Sequence, residues 1–138
     1  MSGATRDKNL SQRLITTLIL SGIMVVVTVT FDAARAWLTK MELPQAGLLE
    51  FGLLVIWGVT SVLVVRRTEF IRYGILAAAI VSIFHSTVGS IVSDFIAQRQ
   101  TPGFFAPPYY LIRGIQLDLF IAVVVAGLAG LVWVKWLR

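Results

Sequence analysis

At 138 residues, with 57% hydrophobic and 14% charged side chains, the chain is far poorer in charge than a soluble domain, where charged residues make up about a quarter. Its apolar residues arrive in long blocks, and the mean hydropathy of +0.85 excludes an ordinary soluble domain and predicts a single membrane domain over residues 1–138. The net charge of +5 sits at the ends of those blocks, so topology and lipid headgroups account for it better than nucleic acid; the lack of cysteine excludes disulfides, thiolate metal sites and thiol redox chemistry in the chain itself.

In chain order, residues 1–13 form a polar, basic segment. The apolar run from Leu14 to Phe31 resembles a signal sequence in its flanks, but it exceeds the usual core of ~7–15 residues and predicts a first membrane helix over about 14–36. Thr17, Ser21 and Thr28 fall near one face of it with Gly22 beside them, the small and hydroxyl residues that let membrane helices approach and bond across. The end of this helix merges into a mixed loop from Asp32 to Ala46, where Trp37 and Leu38 among charges read as interfacial and Pro44 starts the chain afresh. A second helix over 47–65 holds Glu50 near its start. Arg66, Arg67 and Arg72 then mark a tight basic turn, which forces the second and third helices into an antiparallel hairpin.

The third helix, 73–96, is the most distinctive stretch. It is long enough to cross a bilayer, which takes about 20 residues, yet it carries the only histidine of the chain, His85. Ser82, His85, Ser86, Gly89, Ser90 and Ser93 share one face by helical spacing. Such a stripe is costly against lipid and must face other helices. Residues 97–110 read as an outer loop: Pro102-Gly103 stops the helix, and Phe104, Phe105, Tyr109 and Tyr110 around two prolines make a stiff aromatic segment suited to docking or to the headgroup layer. The fourth helix, 111–134, repeats Asp118, Ala122, Ala126 and Gly130 every four residues, a small-residue packing seam headed by an acid. The expected fold is therefore all-α: an integral membrane bundle of four transmembrane helices.

With both termini in the cytoplasm, eight Lys and Arg residues fall on that side and four on the other, which favours a multi-pass protein of the cell membrane in that orientation. Glu50, His85 and Asp118 then lie at neighbouring depths in the outer half. Ionisable groups inside a membrane are costly and are candidates for function, because a carboxylate–imidazole pair can relay protons or orient a metal ligand. The competing interpretation is plain packing, with His85 bonded to a serine and both acids at the headgroup level. One histidine cannot build a haem or copper site alone, so no cofactor or metal is expected unless His85 shares one with another subunit. Phosphate loops, dinucleotide-binding glycines, zinc-protease spacings and a serine-hydrolase elbow are all missing, and the chain is not expected to be an enzyme by itself.

Three functions fit these residues. The leading one is an accessory or structural subunit of a larger membrane complex, respiratory or oxygenase in type, packed through its small-residue seams. The second is a homo-oligomeric proton or ion transporter using Glu50, His85 and Asp118, and the third a membrane-embedded coat or scaffold. Partners are accordingly the lipid bilayer, with Arg66, Arg67 and Arg72 as contacts for headgroups or an acidic partner, and other membrane subunits or further copies of the chain.

Overall fold

A computed structural model of the chain describes residues 3–41, 49–97 and 108–137. Every element in it is helical: α1 (Gly3–Lys40), α2 (Glu50–Thr68), α3 (Ile71–Phe84), a π-helical segment (His85–Gly89), α4 (Ser90–Ala97) and α5 (Pro108–Val132), with a closing π turn (Trp133–Leu137). The segments α3, π and α4 run on as one span, Ile71–Ala97, so that four helices are long and apolar enough to cross a membrane. The fold is the expected four-helix bundle. Apolar chains take this form because a backbone in lipid must satisfy its own hydrogen bonds, and a helix does so within one segment.

The helices alternate in direction. Arg13 of α1 stacks 4.3 Å from the ring centre of Phe70 in the α2–α3 turn, and Arg66 at the end of α2 lies 5.9 Å from that of Trp133. The start of α1, the α2–α3 turn and the end of α5 thus share one end of the bundle. The turn is tight because Glu69 takes a left-handed conformation (φ 66°) and its N–H bonds the carbonyl of Val65 at 2.7 Å, which closes α2 before Phe70 extends into α3.

Met24, Leu53, Trp57, Ala78, Val81, Ala122 and Ala126 form the main core, and Val64, Tyr73 and Ala77 a smaller one nearer the turn. The acid-headed seam of α5 faces inward as expected, with Ala122 and Ala126 fully buried and Gly130 buried beside Ser61 and Ile71. Ser82, Ser86 and Gly89 are buried too, and Ser90 half-buried.

Four expectations change. Asp32 is no loop residue: α1 continues through it to Lys40, because no proline or glycine interrupts the chain between Gly22 and Pro44 and a helix need not end where apolarity does. α5 opens at Pro108, so Tyr109 and Tyr110 belong to the helix and not to the loop; proline suits the first helical position, where its missing N–H costs nothing. Phe104 and Phe105 lie outside the described residues, as do the side chains of Tyr109 and Tyr110. Gly22 has nothing within 4 Å of where a Cβ would stand, so it makes no close approach. The buried hydroxyls also act differently: Thr17, Ser21, Thr28, Thr60 and Thr68 each donate to the carbonyl four residues back in their own helix. Among the described residues Ser61, Ser86 and Ser93 bond across to other helices, Ser61 to the carbonyl of Ala126 at 2.7 Å.

Candidate functional site

The site is built on the π-helical segment. A π turn is wider than an α turn and occurs often at functional positions. Here it carries His85, Ser86 and Gly89, all buried, and presents them to both neighbouring helices. His85 Nδ1 lies 2.8 Å from Asp32 Oδ2 of α1. Asp32 has no exposure, and the His85 side chain retains 11%. Ser86 Oγ, one residue on, lies 2.6 Å from Asp118 Oδ2 of α5 and 3.0 Å from the carbonyl of Ser82. Thus two acids on two helices grip consecutive residues of the third span, near its middle.

Each contact constrains where protons sit. A carboxylate only accepts, so with Asp32 ionised the Nδ1 proton of His85 points at Asp32, and Nε2 is left to gain or lose the exchangeable proton. Ser86 has a single hydroxyl proton for two acceptors. Either Ser86 donates to an ionised Asp118, or a protonated Asp118 donates to Ser86 while Ser86 donates to Ser82. These two arrangements differ by one proton and need almost no movement of heavy atoms.

Gly89 makes the Asp32–His85 contact sterically possible: a Cβ there would run into the Asp32 carboxylate. Ser93 Oγ donates to the Asp32 backbone carbonyl at 3.3 Å, tying α4 to the same turn of α1. Trp57 packs edge-on to the imidazole with ring centres 6.1 Å apart. Among the described residues, Asp32 Oδ1, Trp57 Nε1 and Ser82 Oγ are buried without a hydrogen-bond partner. A buried unpaired carboxylate oxygen and indole N–H are unusual and give the site spare capacity, one acceptor and one donor, for a small polar guest. Among the described residues no group of three or more His, Asp or Glu is placed to hold a metal ion.

Of the expected trio, Asp118 bonds Ser86, the residue after His85, while the carboxylate that His85 itself meets is Asp32. Glu50 is the first residue of α2, and its side chain lies outside the described residues. Arg66, Arg67 and Arg72 are exposed around the α2–α3 turn, with Arg72 within about 5 Å of the Phe70 and Tyr73 ring centres. Asp32 is the residue that sequence reasoning missed. A signal for it existed: the face marked by Thr17, Ser21 and Thr28 continues by a step of four to Asp32, and Met24 and Ala36 on that face are buried as well. The π turn left no comparable trace. Comparison with family models, curated proteins and solved structures yields no match.

Proposed function

We propose that this chain is a proton-handling membrane protein, a small carrier or proton-conducting subunit in which the Asp32–His85 pair takes up and releases a proton within the bilayer. One observation carries this: a carboxylate with no exposure bonded to the chain's only histidine in the middle of a membrane-length helix. Burying an ionised carboxylate costs several kcal/mol unless a partner compensates, and an imidazole, whose second nitrogen can take or give a proton, lets the site change charge while the bond to Asp32 is kept. In the chemistry proposed, Asp32 holds His85 Nδ1–H, Nε2 accepts and gives up the proton, and Ser86 with Asp118 supplies a second acceptor on the neighbouring residue. The arginine and lysine distribution supports an orientation with both termini on the cytoplasmic side of the cell membrane, which would set Asp32 and Asp118 in the outer half.

A second reading has an observation of its own. On the terminal side of His85 the bundle is packed with Met24, Ala78 and Val81, and the buried hydroxyls of Thr17 and Ser21 there are taken up by carbonyls of their own helix. That favours a subunit whose pathway is completed by other membrane subunits or by further copies of this chain.

The test is proton movement into vesicles carrying the purified protein, driven by a potassium-set potential and read with an internal pH dye. His85→Gln and Asp32→Asn are expected to slow the wild-type rate at least tenfold, about 1.4 kcal/mol or more in barrier, with elution volume and helix content unchanged. Wild-type rates in both variants would refute proton handling at this pair. If the wild-type protein itself moves no protons, the carrier reading falls, and mild-detergent extraction with mass spectrometry decides whether the chain elutes with other subunits.

A further inference from the structure

We infer that a polar groove between α1 and the end of α2 binds the phosphate of an anionic phospholipid. Asn9, Gln12, Arg13 and Thr16 line it from α1 and Arg67 from α2. These residues present two guanidiniums and two side-chain amides, and the described lining has no carboxylate. Glu69 lines a separate groove with Arg66 and Trp133. Arg13 is half-buried and fixed against Phe70 at 4.3 Å, so one guanidinium is held in place before any anion arrives. A planar guanidinium donates two parallel N–H bonds to a phosphate.

Position argues for a lipid over a free anion. The groove lies where the membrane-length segments Asn9–Lys40 and Phe51–Thr68 begin and end, which is headgroup depth. Next to it α1 exposes Leu14, Ile15 and Leu18, and α2 exposes Leu63, an apolar surface on which an acyl chain can lie once its phosphate is seated. An anionic headgroup gains from the basic groove, whereas a zwitterionic one brings its own cation to it.

Thermal unfolding of the full chain in a mild detergent tests this, with dioctanoyl phosphatidylglycerol, dioctanoyl phosphatidylcholine or inorganic phosphate added. Phosphatidylglycerol is expected to raise Tm by roughly 5 °C at about a hundredfold excess over its Kd, with little effect from the other two. Arg13→Gln combined with Arg67→Gln should remove most of that shift, whereas Arg66→Gln, in the other groove, should keep it. If loss of the Arg13–Phe70 contact prevents folding, Gln12→Ala with Arg67→Gln, both exposed positions, replaces the double variant. Equal shifts from phosphatidylglycerol and phosphatidylcholine overturn the inference, as does a full shift in the groove variants. An equal shift from inorganic phosphate also overturns it, in favour of a free-anion site.

Discussion

Asp32 bonds His85 through one carboxylate oxygen and leaves the other buried without a partner. Charge and hydrogen bonding can therefore be separated by substitution. In Asp32→Asn the amide oxygen still accepts from Nδ1–H, so unfolding free energy in detergent is expected to stay within about 1 kcal/mol of wild type while proton flux is lost. Asp32→Ala leaves the imidazole unpaired and is expected to cost about 1–3 kcal/mol. Equal stabilities for the two variants would mean that the bond contributes nothing to folding. Gly89→Ala should reproduce the flux defect of Asp32→Asn without touching a titratable group, because the new methyl takes the space of the carboxylate; normal flux in this variant would show that the close approach is dispensable. His85 and its stripe are legible from spacing alone. Spacing puts Asp32 on the face of Thr17, Ser21 and Thr28 but does not give its partner, and a lone acid at the end of an apolar run resembles any interfacial charge until that partner is known.

At the scale of elements, the α2–α3 hairpin is closely packed at Gly74. A Cβ on Gly74 would stand 2.5 Å from Ser61 Oγ and 2.9 Å from the Ser61 carbonyl oxygen. That backbone oxygen cannot swing aside, and Ser61 Oγ is engaged with Ala126. Gly74→Ala is expected to destabilise the bundle by about 1–3 kcal/mol, the range for overpacking. Gly22→Ala, facing open space, is expected to be neutral or to stabilise by up to about 1 kcal/mol through helix propensity. Detergent unfolding of the two variants side by side distinguishes close packing from a general effect of removing glycine. Helix boundaries expose the limits of hydropathy: α1 outruns its apolar block at both ends, and Pro108 begins a helix where two prolines read as a loop. Hydropathy reports the solvent around a helix, whereas hydrogen bonding and the position of breakers set its length.

At the scale of the whole molecule, the alternation of four spans places both termini at the end that carries the α2–α3 turn. The chain has no cysteine, so single cysteines report sidedness cleanly. A membrane-impermeant maleimide is expected to label Gln100→Cys in intact cells, and Ser2→Cys only after the membrane is opened. The opposite pattern would reverse the proposed orientation and put the Asp32–His85 pair nearer the cytoplasm.

The sequence by itself determined the number of spans, the inward stripe of the third helix and the acid-headed seam of the fourth. Those are local properties, set by run length and by the 3.6-residue period of one helix at a time. Only the tertiary structure decided that His85 meets Asp32, 53 positions away, and that Asp118 takes Ser86 instead. That pairing depends on how far each helix is rotated and how deep it sits against its neighbours, and a π turn in the third span shifts both for every residue beyond it.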